Sequence, residues 1–513
     1  MNGAEALLQT ARTAGLEVCF TNPGTTELPL VLALEQIPGM RAVLGLFEGV
    51  CTGAADGYAR MAGKPALTLL HLGPGLANGV ANLHNARRAD TPVVNLIGQH
   101  ATWHLAADPP LAMDIEQLAG TYGSWARSIQ RAEDIGRDTA AAIEAARTGR
   151  SATLIVPHDL QIAEAGPVAT AVAACDAAPV DPGQIERAAK LLRESKRPAM
   201  LLGGRALQEH GLRAAARIQA ATGCALWADP GAGRVERGGD LPDVPRVPYF
   251  PEQALAALEP FDAFVLVDAR RPVAFFGYPG GPSYFIRDDQ TMLAIGAGQD
   301  GGAVLAALAT ALDAAVPARQ DTGNGRPDAP GGPLTGQSVG QVLASCYPDQ
   351  AILINEGVTT GQAFVGMGTH GLPRHTLLSV TGGAIGFGLP CAVGAAIACP
   401  ERPVIALQAD GSAAYTVQAL WTMAREALNV TVLLCSNRRY KILEIEMSRA
   451  GISAPGATSR RLTELSQPAI DWVTVSQGFG VPAARVETGE ALAQVLRRAV
   501  KEPGPMLIEM EMV

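Results

Sequence analysis

Asp410 and Asn437 are hard oxygen donors, each following a short apolar run that reads as a strand, with room between them for one crossover helix. Joined by a backbone carbonyl and by phosphate oxygens of a ligand, two such donors make an octahedral Mg²⁺ site. Gly411 allows close backbone approach, and the helix opening at Ser412 offers N–H groups to a phosphate. Asp-Gly-Ser is also a common turn, and on this motif alone the turn is the better reading. Glu48 stands alone in the otherwise apolar run 44–51, where burying an unpaired carboxylate is costly. It is either a first-turn helix charge or a group that handles protons.

His71 closes the apolar run 66–71 and precedes a glycine-rich stretch, so it sits at a strand's carboxyl end. A histidine there has the chemistry for proton transfer near neutral pH. The glycines lack GxGxxG spacing and a following acidic residue, which disfavours a Rossmann dehydrogenase. Thr25, in Asn22-Pro23-Gly24-Thr25, reads from its neighbours as a Pro-Gly turn residue. Gln99 and His100 follow another strand, but His100-Ala-Thr-Trp-His104 lacks the glutamate base of HExxH, so no zinc site is expected.

These residues need strands to carry them. Apolar runs at 66–71, 93–97, 152–157, 199–202, 263–267, 351–354, 403–407, 430–435 and 506–511 alternate with helical patterns such as 49–62, 185–194, 417–428 and 491–501. Continuous apolar strands joined by helices imply parallel sheets covered on both faces. At 513 residues the chain needs about three cores. Segments 165–183 and 316–336, rich in Ala, Pro, Gly and Asp, divide it into 1–165, 180–315 and 335–513. The expectation is α/β: three doubly wound parallel-sheet domains.

A net charge of −9 without a basic run argues against nucleic acid. The eight cysteines (Cys19, Cys51, Cys175, Cys224, Cys346, Cys391, Cys399, Cys435) form no CxxC pair and read as reduced, mostly buried thiols. No signal-like N-terminus or bilayer-length apolar segment appears, so a soluble cytoplasmic protein is expected.

Residues 408–440 resemble the Gly-Asp-Gly…Asn-Asn motif of thiamine-diphosphate enzymes, with Ala409 and Ser436 replacing the first Gly and first Asn. Residues 47–66 (FEGVCTGAADGYARMAGKPA) and 381–388 (TGGAIGFG) resemble two further motifs of the same family, nearest to benzoylformate decarboxylase and FAD-less acetolactate-synthase-like proteins. The resemblance implies pyrimidine-binding, middle and diphosphate-binding domains, and the cofactors thiamine diphosphate and Mg²⁺ without FAD. Asp410, Asn437 and the Arg439 carbonyl would hold the metal, while Gly411, Ser412 and Thr359 would meet the diphosphate. Gly383 and Ile385 would grip and bend the cofactor. Glu48 would hydrogen-bond N1′ of its pyrimidine and promote the imino tautomer that removes the C2 proton. Thr25 and His71 would meet the substrate, and Gln99 matches a position near the cofactor. Arg438 and Arg439 replace smaller residues, and 272–278 lacks the middle-domain histidine of benzoylformate decarboxylase.

The implied reaction is decarboxylation of a small 2-keto acid, with carboligation as a second outcome, in a homodimer at minimum and more readily a homotetramer. An acetolactate-synthase-like enzyme joining two pyruvates is the first alternative. A weakly active, cofactor-binding paralogue serving as an assembly or regulatory subunit is the second.

Overall fold

The structure, a computed structural model, describes residues 1–169, 178–317, 325–369 and 371–513. Cys175 and parts of both linker segments lie outside the described residues. The first part of the chain carries β1 (Val18–Asn22), β2 (Arg41–Leu44), β3 (Ala66–Leu70), β4 (Val93–Gln99), β5 (Trp125–Ser128) and β6 (Ser151–Pro157). The middle part carries β7 (Pro198–Leu202), β8 (Ala225–Ala228), β9 (Arg234–Arg237), β10 (Ala263–Val267) and β11 (Thr291–Ile295). The last carries β12 (Ala351–Glu356), β13 (His375–Ser379), β14 (Val404–Ala409), β15 (Val430–Ser436), β16 (Ala483–Val486) and β17 (Met506–Glu511).

Three sheets result, ordered β2-β1-β3-β4-β6-β5, β11-β10-β7-β8 and β16-β17-β15-β14-β12-β13-β9. The first two are wholly parallel. The fold is the expected one, three α/β units with doubly wound sheets. Central strands such as β3, β4 and β15 are buried along their whole length, which is why they read as unbroken apolar runs.

One strand departs from that expectation. β9 belongs by sequence to the middle part, yet it pairs antiparallel with β13 and closes the third sheet. Arg-Val-Glu-Arg has little apolar signal; polar partners place it. Arg234 donates to the Arg60 carbonyl at 2.7 Å, and Thr376 Oγ1 donates to Glu236 at 2.9 Å. The exposed β2 and β11 lacked the same signal.

The first and third sheets share one apolar core. Helix Glu48–Ala62 lies against helix Gly388–Ala398 so closely that a Cβ on Gly57 would stand 2.2 Å from the Cys391 carbonyl oxygen. Only glycine fits that crossing. Six of the seven described cysteines are buried and Cys399 is partly exposed. No helix among the described residues is long and apolar enough to cross a membrane.

Burial in the third sheet also sets a pH response. His375 lies between Tyr347 and the Pro373 carbonyl, and burial pushes its imidazole from 6.5 down to about 3. The folded state holds it neutral while the unfolded chain takes up a proton below 6.5, so this contribution is lost as pH falls from there toward 3. Between pH 7.5 and pH 5 the loss should be about 2 kcal/mol. Urea unfolding of wild type and His375→Gln at both values reads it; an equal pH dependence in the two proteins refutes the assignment.

Candidate active site

In the first sheet the winding reverses between β1 and β3, and open α/β sheets bind ligands at such a point, beyond the strands' carboxyl ends. β1 ends on Asn22 and β3 on Leu70, so the Asn22–Thr25 loop and His71 flank it. His71 Nδ1 is 2.7 Å from Oε2 of Glu27, whose carboxylate is fully buried. Glu27 also accepts from the Gly24 N–H at 2.8 Å and from Thr26 Oγ1 at 2.7 Å. With Nδ1 donating to the carboxylate, Nε2 is the atom left to exchange a proton. Leu72, directly after His71, is buried at φ 54°, a strained conformation for a leucine that fixes the turn presenting the imidazole.

Thr25 is exposed beside this pair, and Thr26 makes the bond to Glu27. Gln99 is buried and accepts from the His100 N–H at 2.8 Å. The His100 and His104 rings lie 6.0 Å apart. Burial, then the neighbouring His104 and His71, lowers the His100 imidazole below its usual range.

Glu48 opens helix Glu48–Ala62 and is half-buried; the expectation of an enclosed carboxylate is corrected. Phe47, Val50 and Cys51 pack into the core, whereas Glu48 turns toward helix Leu72–Arg88, where Asn78 Nδ2 donates to it at 3.0 Å. Asn82, one turn on, donates to the Gly49 carbonyl at 2.9 Å and to Gly386 at 3.2 Å, tying this corner to the third sheet.

In the third sheet the winding reverses between β12 and β14. Glu356, at the end of β12, is buried and accepts from the N–H groups of Gly386, Phe387 and Gly388 and from Gln408 Nε2, at 2.9, 3.1, 2.7 and 2.8 Å. Burial raises this carboxyl and the four donors oppose the rise. Asn85 holds the same loop from the other side: its Oδ1 accepts from Gly382 at 3.1 Å and its Nδ2 donates to the Ala384 carbonyl at 2.8 Å. Loop 381–388 is thus fixed with Gly383 and Gly386 at φ 76° and 92°. Ile385 and Thr359 face a cleft of about 2340 Å³, and Val358, also lining it, is strained at φ 45°.

Asp410 follows β14, and Asn437 follows β15, the adjacent parallel strand. Asp410 is buried, with Oδ1 accepting from Gly411 N–H at 2.7 Å and Oδ2 from Arg438 N–H at 2.6 Å; burial raises its carboxyl. Asn437 Oδ1 accepts from the Arg439 N–H at 3.0 Å, and Arg438 takes φ 56°, so the loop is left-handed at that one residue. Ser412 is buried, and the buried Ser436 hydroxyl has no protein partner. Among the described residues no cluster of three His, Cys, Asp or Glu side chains could hold a metal. A cation here therefore needs amide and carbonyl oxygens and oxygens of a ligand, and an orphaned hydroxyl beside paired hard donors suits a diphosphate with its cation.

Comparison with known proteins bears on the diphosphate. Residues 1–118 match the N-terminal TPP-binding domain of thiamine pyrophosphate enzymes, and residues 360–510 match the C-terminal TPP-binding domain. A Mycobacterium tuberculosis protein named as an acetolactate synthase large subunit is 47% identical, covering 99% of this chain and 98% of its own length. The chain belongs to the thiamine-diphosphate decarboxylase and synthase family. Benzoylformate decarboxylase of Pseudomonas aeruginosa is 29% identical, with 97% and 96% covered. The solved thiamine diphosphate-dependent 4-hydroxybenzoylformate decarboxylase of Rhodococcus jostii RHA1 superposes with a TM-score of 0.88 at 25% identity, covering 100% of this chain and 99% of its own.

For a thiamine-diphosphate enzyme, sequence reasoning passed over the residues that hold others in place. None of Glu27, Glu356, Asn82 and Asn85 is among the residues the sequence singles out. All four are buried, and their partners across the fold are not encoded in local spacing.

Proposed function

We propose that this chain decarboxylates a 2-keto acid in the manner of benzoylformate decarboxylase, using thiamine diphosphate and Mg²⁺. The observation that carries the reading is the buried Glu27 carboxylate at 2.7 Å from His71, a proton-handling pair at the first sheet's winding reversal. Thiamine diphosphate, when bound, supplies the sink for the electron pair released as CO₂ leaves. Asp410, Asn437 and the Arg439 carbonyl would hold the cation, and Gly411, Ser412 and Thr359 the diphosphate. Gly383 and Ile385 would orient the pyrimidine, and Glu48 would hold a proton at its N1′. Thr25 would receive the substrate carboxylate, and His71, oriented by Glu27, would deliver or remove the proton that completes turnover. The domain division 1–165, 180–315 and 335–513 is part of this proposal.

Trp103, Leu105, Leu111 and Met113 are exposed in the segment that follows His100, Trp103 by 77%. An apolar patch beside a site calls for a cover, and we assign it to a second copy, giving at least a homodimer. Condensation of two keto acids is the second reading, favoured by the 47% identical relative's name. The test is CO₂ release by purified protein with thiamine diphosphate and Mg²⁺, from pyruvate and from benzoylformate, with products separated and mass measured by sedimentation. Free aldehyde supports decarboxylation, acetolactate supports condensation, and no CO₂ from either acid refutes both.

A further inference from the structure

The chain leaving β10 makes a hairpin excursion before β11. Ala274 N–H donates to Ser283 O at 2.9 Å, Phe285 N–H donates to Pro272 O at 3.0 Å, and Gly281 N–H closes the tip on Tyr278 O at 2.9 Å. Residues 273–284 contain no carboxylate, histidine, lysine or arginine. Instead they carry Phe275 and Phe276, whose rings pack edge-on at 4.9 Å, with Tyr249 on Phe275 at 5.4 Å.

This hairpin reaches the third sheet. Phe275 Cζ lies 2.7 Å from where a Cβ on Gly383 would stand, so the glycine is what admits the ring. The tip is fastened to helix Lys441–Arg449, where Glu446 accepts from Tyr278 OH at 3.2 Å and Arg449 stands over the Tyr278 ring at 5.5 Å. Ile442, Leu443 and Ile445 of that helix line the same cleft as both phenylalanines, Gly383 and Ile385. Yet Phe275 and Phe276 each remain 52% exposed. Two rings held firmly and turned to a cleft, facing apolar side chains across it, make a slot for something apolar and flat.

We infer that the hairpin Val273–Tyr284 is the specificity element of this enzyme, and that Phe275 and Phe276 select a 2-keto acid with a bulky apolar or aromatic side chain over pyruvate. The inference rests on the decarboxylase reading above. A methyl group leaves the slot wet, whereas a phenyl group covers both rings and displaces that water.

The test compares kcat/KM for benzoylformate and pyruvate, read as CO₂ release, in wild type, in the Phe275→Ala/Phe276→Ala double variant and in the Phe275→Leu/Phe276→Leu pair. Calorimetric titration of benzoylformate into cofactor-loaded Glu48→Gln protein, with and without the alanine pair, reads binding apart from turnover. The benzoylformate-to-pyruvate ratio should fall roughly 10- to 100-fold with alanine and less with leucine, and the Kd for benzoylformate should rise in parallel. If wild type turns over keto acids but the alanine pair leaves ratio and Kd unchanged, the hairpin assignment is overturned and the decarboxylase reading stands. If wild type releases no CO₂, the decarboxylase reading falls and takes this inference with it.

Discussion

Glu48→Gln should lower kcat by roughly 100- to 10,000-fold, the range expected when a positioned acid–base group is lost, while leaving cofactor affinity nearly unchanged. The substitution keeps the side chain's shape, and the new amide oxygen can still accept from Asn78 Nδ2, which lies 3.0 Å from Glu48. What it removes is the proton exchange at the pyrimidine proposed for Glu48. Glu48 is half-buried at a helix start, so no enclosed charge is stripped of a partner and folding should survive. The groups assigned to cation and diphosphate, Asp410 and Asn437, lie on another sheet and are untouched. A calorimetric titration of thiamine diphosphate with Mg²⁺ and single-turnover CO₂ release separate the two effects. Turnover equal to wild type sinks the role given to Glu48; lost cofactor binding would make it a structural residue.

The sequence showed these strand ends because a buried parallel strand must be apolar throughout, so its carboxyl end is where the first polar residues appear. His71 and Asp410 stood out on that contrast, and Glu48 as the lone charge in the apolar run 44–51. The partners did not. Glu27 meets His71 from a different strand end, and Asn85 meets Gly382 across two sheets; no local spacing encodes either distance. Strain was equally silent. Leu72, Val358 and Arg438 adopt positive φ directly beyond β3, β12 and β15, although leucine, valine and arginine favour nothing of the kind. The surrounding sheets impose it, and they do so where side chains or a loop must be aimed. β9 carries little apolar signal because polar partners distant in sequence, Thr376 on β13 and the Arg60 carbonyl, specify it. Phe275 was passed over for the histidine its segment lacks.

Glu27→Gln should lower kcat by about 1.5–3 kcal/mol of barrier, roughly 10- to 150-fold, through His71 alone. Glu27 touches neither cofactor nor substrate in this scheme; it is a positioning residue. Its Oε2 holds the Nδ1 proton of His71 at 2.7 Å, leaving Nε2 facing the site, while Gly24 and Thr26 hold the carboxylate in place. A glutamine at 27 is nearly isosteric, but its NH₂ can donate to Nδ1 and invert the tautomer, moving the proton to the wrong side of the ring. His71→Ala should cost more, about 100- to 10,000-fold, because the proposed proton carrier itself is gone. The decisive measurement is the double variant. If Glu27 acts only by orienting His71, adding Glu27→Gln to His71→Ala costs nothing further, and the two losses are strongly non-additive. A purely structural Glu27 would instead add its full cost in either background and would lower thermal stability by the same amount in both. KM should move little in Glu27→Gln, since the substrate carboxylate is assigned to Thr25, which keeps its exposed place beside the pair.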